Sequence, residues 1–261
     1  MAAKAIAIIA GVGAGTGASI ARKFAQNYSV ALLARNPSNY EPIVKEIETR
    51  GGKAIGISTD VTNAHSVRDA FEQIAKAFPG SSLAAAVYNV GGGFARVPFL
   101  ELSEEQFTAG YESTALGGFL FSQAALPWLI TAEGKTEHPP TLIFSGMSSP
   151  NSPLVLTITK PLRGEIGATA SVRGSANFSS LATGKFALRA LSQSLAREFG
   201  PQGIHVGHVI LDGVIDIERT KHWQFDAPDA KIRPESVSYP AQARREHSPV
   251  VIFGFANCSG D

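Results

Sequence analysis

The stretch AIAIIAGVGAGTG (5–17) decides how the chain is read. Its first half is a short apolar run of the kind that forms a buried strand. Its second half, Gly11-Val12-Gly13-Ala14-Gly15-Thr16-Gly17, opens onto SIARKFAQNY, whose apolar spacing is helical. A strand that turns through glycines into a helix lets the backbone approach a pyrophosphate, with the amides and dipole of the helix N-terminus facing the anion. The context of the glycines matters more than their number, and here the strand, turn and helix follow in the required order.

Outward from that turn the same alternation continues. VALLAR (30–35), KAIGISTD (53–60), LAAAVYNV (83–90), TLIFSG (141–146) and IHVGHVIL (204–211) read as strands. Between them, helical patterns are expected over 16–28, 40–52, 66–78, 103–130 and through Lys185. Continuous β-branched runs joined by helical crossovers predict an α/β, doubly wound parallel sheet, a single Rossmann-type domain. Phe119, Phe121 and Trp128 are expected to form a core stripe. MSSPNSPLVLTITKPLRGEIG (147–167) fits no element, and neither does most of the tail from Ser238, although VVIFGF (250–255) is able to pair as an edge strand.

Composition narrows the class. The 261 residues are 44% hydrophobic and 17% charged, with a formal net charge of +1. Average soluble proteins are roughly 25% charged, so this is an interior-rich chain with no electrostatic case for nucleic acid or membrane. The single cysteine excludes an internal disulfide. The apolar start is too short for a secretory h-region, and no stretch is expected to reach the length of a membrane span. The expectation is a cytoplasmic protein. His205 and His208 lie three apart on a strand, hence on opposite faces, and no metal site is expected.

At the end of the second strand stands Arg35, where an acidic residue would hold a ribose 2′-hydroxyl and an arginine suits a 2′-phosphate. That points to NADP(H). With these residues the chain resembles the short-chain dehydrogenase/reductase family over roughly 5 to 237. Gly11, Gly15 and Gly17 match its G-x-x-x-G-x-G, with Gly13 and Thr16 in the same turn. Asp60-Val61 matches its adenine-contacting pair, and Asn89 with Gly91 its N-N-A-G. Lys185 matches the lysine of Y-x-x-x-K, and Asp212-Gly213-Val214-Ile215 sits where the family turns beside the nicotinamide.

The resemblance implies hydride exchange with a small-molecule ketone or secondary alcohol, and assembly as a homodimer or homotetramer through the helices at 103–130 and after Leu181. It also exposes a departure. Leu181 occupies the tyrosine position, Ala168 the serine position thirteen residues earlier, and Thr114 the asparagine position. None of the five tyrosines is followed by a lysine four residues on. Lys185 alone remains of the usual catalytic groups. Ser179, Ser180 and Thr183 are nearby but are expected on the helix surface. The expected activity is an NADP(H)-dependent oxidoreductase with atypical proton chemistry. The alternatives are a non-catalytic NADP-binding protein and a non-redox enzyme on the same fold.

Deleting 147–167 restores the family's spacing between the fifth strand and the lysine. Gly146-Met147-Ser148 admits codons containing GTATGT, and Ile166-Gly167 admits codons ending an intron in AG. The segment is therefore expected to be a retained fungal intron, which sequencing the transcript decides. Its rival is a genuine lid over the cleft. A fungal gene would make secondary metabolism the setting. The expected organisation is an NADP-binding domain over 1–237, carrying this insertion, followed by an aberrant tail over 238–261.

Overall fold

The computed structural model describes residues 5–93, 95–147, 174, 176–211, 214, 215, 218, 221, 231, 232, 234 and 250–254. Six strands form a parallel sheet: β1 (Ile6–Ala10), β2 (Ser29–Ala34), β3 (Ala54–Ser58), β4 (Leu83–Tyr88), β5 (Thr141–Met147) and β6 (His205–Leu211). Val214–Ile215 (β7) and Lys231–Ile232 (β8) make a separate two-stranded parallel ladder. Val250–Gly254 (β9) completes the main sheet, in the order β3-β2-β1-β4-β5-β6-β9, and runs antiparallel to β6. The fold is thus the expected doubly wound, Rossmann-type α/β sheet, and 250–254 does pair at its edge.

The period-two alternation of a strand divides the core. Ile6, Ile8 and Ala10 of β1 face one apolar cluster with Ala31 and Leu33, while Ala7 and Ile9 face the other with Val30, Leu32 and Ala34. Helices α1 (Thr16–Ala25) and α2 (Glu41–Thr49) cover the second face. Helices α3 (Ala64–Ala77), α5 (Gly117–Ala132) and α6 (Ser179–Phe199) cover the first, where Phe71, Phe121 and Leu188 meet Tyr88 and Phe144. Burying one such side chain is worth about 1.5–3 kcal/mol. Asn63 caps α3 by accepting from the amides of His65 and Ser66, and Ser103 with Gln106 closes a capping box on α4 (Glu104–Tyr111).

Several expectations need correction. The helix expected over 103–130 is two helices joined by a π-helical turn, Glu112–Leu116. The run Glu104–Ala132 is long and apolar enough to cross a membrane, contrary to the expectation that no stretch reaches that length. Phe121, Ala125, Leu126 and Leu129 from it lie in the sheet-facing core, the place of a core helix in a globular fold. Phe121 and Trp128 do join that core, but Phe119 is exposed, because it falls on the helix face turned away from the sheet.

Candidate functional site

The order β3-β2-β1-β4-β5-β6 reverses direction between β1 and β4, and the carboxyl ends of those two strands open the crevice in which such sheets bind ligands. Gly11 leaves β1 with φ +83°, and a Cβ there would fall 2.5 Å from the carbonyl oxygen of Asn89. Only glycine fits both the backbone angle and the approach. At Gly17 a Cβ would meet the Gly11 oxygen at 2.6 Å, so α1 packs directly onto the turn. Gly13 faces open space on the other side. Gly15 stands at the N-terminus of α1 with no side-chain cap, and Thr16, the first helical residue, is buried. The turn is therefore a tight cradle at an uncapped helix N-terminus, which fits a pyrophosphate.

Asn89 ties the strands together. Its backbone N–H donates to Ala10 O (2.9 Å) and its side-chain amide to Gly11 O (3.1 Å), while its Oδ1 accepts from the Ser145 hydroxyl (2.8 Å). Lys185, only 1% exposed, reaches in from α6 and donates to Val90 O (3.3 Å) and Ser145 O (3.2 Å). Burial pulls its ammonium down from the usual range to about 8. β1, β4, β5 and α6 thus meet at one buried cation. Lysine carries three N–H donors, so among the described residues one is left beyond the two carbonyls.

The remaining cofactor candidates lie along the same edge. Arg35 follows β2 and is exposed. Asp60 follows β3, where its Oδ1 accepts from the Thr62 amide and hydroxyl, and Val61 is buried against the Gly117 backbone. Gly91 is exposed on the loop leaving β4. Ile215 lies in β7, whereas Gly213, Ala168 and the insertion beyond Met147 are outside the described residues.

Leu181 stands one turn before Lys185 on α6, 2% exposed and packed on Phe178. Thr114 is buried in the π-turn, its Cβ 3.1 Å from where a Cβ on Gly184 would lie. That contact and the approach of Gly110 to Ser180 bring α4 against α6 almost backbone to backbone. Ser180 is no surface residue. It is 1% exposed, and its hydroxyl accepts from Ala95 N at 3.4 Å, so that α6 holds the loop leaving β4.

Two polar residues missed from sequence also matter. Ser145 enters the site at the end of β5, placed there by strand register, a signal present in its position just past the apolar run. Tyr88 is fully buried and donates its hydroxyl to Ser113 O (2.7 Å). Burial, with the Asp60 charge adding, pushes this phenol far above its usual range, so it does not serve as an acid in the crevice.

His208 completes the neighbourhood. It is fully buried on β6 beside Phe144, and neither ring nitrogen has a hydrogen-bond partner among the described residues. Burial, then the charges of Lys185 and Arg189, lower it to about 3, so it is neutral at ordinary pH. His205 is exposed on the opposite face. Among the described residues no group of three or more His, Cys, Asp or Glu is placed to hold a metal.

A glycine cradle at the switch point and a buried lysine at the ends of β4 and β5 lie where doubly wound sheets bind nucleotides. The family model for short chain dehydrogenases matches residues 5–136, and the chain belongs to that family. It is 25% identical over 256 residues to the L-2,3-butanediol dehydrogenase of Corynebacterium glutamicum, covering 95% of this chain and 84% of that one. A short-chain dehydrogenase structure from Rhodopseudomonas palustris is 27% identical, with TM-score 0.65 and 93% of each chain covered. A metagenomic short-chain oxidoreductase in complex with NADP shares the fold at 18% identity and TM-score 0.65, covering 91% of this chain and 88% of that one.

Proposed function

We propose that the chain is an NADP(H)-dependent oxidoreductase interconverting a ketone and a secondary alcohol, without the tyrosine that usually moves the proton. One observation carries this reading: Lys185 is held buried on the Val90 and Ser145 carbonyls beside the glycine turn, while the residue one turn before it is the buried, apolar Leu181. Residues 11–17 cradle the pyrophosphate, Arg35 pairs with the 2′-phosphate, Asp60 and Val61 hold the adenine, and the spare N–H of Lys185 holds the ribose. The bound cofactor supplies or accepts the hydride. The relative's substrate, 2,3-butanediol, is itself a secondary alcohol.

At neutral pH Lys185 is mostly protonated, because its pKa stays near 8. Ser145 has its hydroxyl proton committed to Asn89, and Leu181 offers none, so the proton comes from water or from a group that the substrate brings. The buried apolar Leu181 also favours a second reading, a protein that binds NADP(H) without redox turnover. We further propose that 147–167 is a retained fungal intron, on the spacing that its deletion restores and the splice-site codons that its two ends admit.

Fluorescence titration of the 261-residue chain with NADPH and NADH tests the cofactor assignment. Selective NADPH binding that Arg35→Glu lowers about tenfold or more relative to NADH is expected. Equal affinity for both cofactors in the wild type contradicts it. NADPH oxidation across a ketone panel then separates the two readings: consumption supports the enzyme, and binding without consumption supports the second.

A further inference from the structure

The loop that leaves β4 at the switch point carries Arg96, and nothing described above uses it. Its backbone position is fixed by its neighbour Ala95, whose amide is held 3.4 Å from the Ser180 hydroxyl in the first turn of α6. Leu181 follows Ser180 directly and Lys185 lies one turn further on, so Arg96 follows a residue anchored to the first turn of the helix that carries them. The guanidinium stacks over the ring of Phe178, 5.5 Å from its centroid. Phe178 is itself 2% exposed and packed on Leu181, which makes the platform rigid.

Stacking engages the face of a guanidinium and leaves its in-plane N–H fork available. No carboxylate among the described residues pairs with Arg96. The ion pairs Arg22–Glu46, Arg50–Glu46 and Lys221–Glu218 are formed by other residues. Arg96 is exposed, yet its plane is set by the buried Phe178 ring and its fork is open, which matches a carboxylate in charge and geometry. The cofactor's phosphates have their own partners at the glycine turn and Arg35.

We infer that the carbonyl substrate carries an anionic group, a carboxylate in the simplest case, and that Arg96 selects for it. The inference rests on the reading of the crevice given under Proposed function, but its test does not depend on turnover. Binding of 4-oxocyclohexanecarboxylate and of 4-acetylbenzoate, each beside its methyl ester, is measured calorimetrically on the full chain, with and without NADPH. At least one acid is expected to bind roughly 10- to 100-fold more tightly than its ester, the range of a charge-assisted hydrogen bond. Arg96→Gln removes that preference and leaves the ester and NADPH affinities unchanged, while Arg96→Lys keeps part of it. Three results overturn the inference: no preference for either acid in the wild type, a preference that survives Arg96→Gln, or a loss of NADPH affinity in that variant equal to the loss for the acid. A chain that holds the acid through Arg96 yet consumes no NADPH with any ketone keeps this inference and loses the redox reading.

Discussion

Replacing Leu181 by tyrosine should place a proton donor one turn before Lys185. Residues four apart on a helix bring their Cβ atoms to about 5–6 Å, so a phenol at 181 lies along the same face as the Lys185 ammonium. An isolated phenol titrates near 10, and an ammonium within about 4–6 Å lowers such a group by roughly 1–3 pKa units, bringing it toward working pH. The new ring must enter a site that is 2% exposed and filled against Phe178. Overpacking of this kind typically costs about 1–3 kcal/mol, which a domain stable by roughly 5–15 kcal/mol survives. A positioned acid contributes about 10²–10⁴ in rate, so NADPH oxidation with a responsive ketone should rise by that factor. Leu181→Phe supplies the bulk without the hydroxyl and should give no rise. Adding Lys185→Met to the tyrosine variant should erase the gain. The assay is steady-state NADPH consumption, with cofactor binding confirmed by fluorescence for each variant. A folded, NADPH-binding tyrosine variant no faster than its phenylalanine counterpart would refute the placement of residue 181 beside the reacting oxygen.

Two further predictions concern stability. Burial lowers Lys185 from 10.5 in the unfolded chain to about 8 in the fold, so between those values the unfolded chain holds a proton that the fold has released. Stability therefore rises with pH across that window, and the full burden, about 3 kcal/mol, is present below it. Lys185→Met, which loses two hydrogen bonds but also the buried charge, should lie within about 2 kcal/mol of wild type at pH 7 and lack the rise; urea unfolding at several pH values with parallel wild-type and variant curves tells against this. His208 falls from 6.5 to about 3 for the same reason, with the Lys185 and Arg189 charges adding. Its contribution is present above 6.5 and is lost as pH drops toward 3, because only the unfolded chain takes up the proton. His208→Phe should remove that acid sensitivity and, by deleting two unsatisfied nitrogens, gain about 1–3 kcal/mol at pH 7; an unchanged acid limb in thermal melts would refute it.

Strand and helix periodicity carried the parallel sheet, the switch-point turn and the helix bearing Lys185, because each is a local pattern. Gly11, Gly17, Asn89 and Lys185 were legible as well, since their spacing is tied to those elements. What escaped depends on contacts between segments distant in sequence. Ser145 matters because Asn89, 56 residues earlier, offers it an acceptor. Ser180 is buried because Gly110 and Ala95 pack against it, so its position near a helix start was misleading. The π-turn at 112–116 leaves no mark in hydropathy, yet the Ser113 carbonyl there receives the Tyr88 hydroxyl. His208 looked like an ordinary strand residue, and its isolation follows from what packs around it. The sense of β9 was likewise beyond a pattern that reports apolarity and not direction.

Pairing with β9 has a bearing on solubility. Without it, β6 would be the outer strand of an otherwise parallel sheet, with seven residues from His205 to Leu211 offering unpaired amides and carbonyls. Such a rim is a template for a neighbouring chain. Five residues of β9 occupy it from Gly207 to Leu211, leaving only the first two positions of β6 without this antiparallel partner. The C-terminal segment, whatever its origin, thereby acts as a guard against edge-to-edge aggregation.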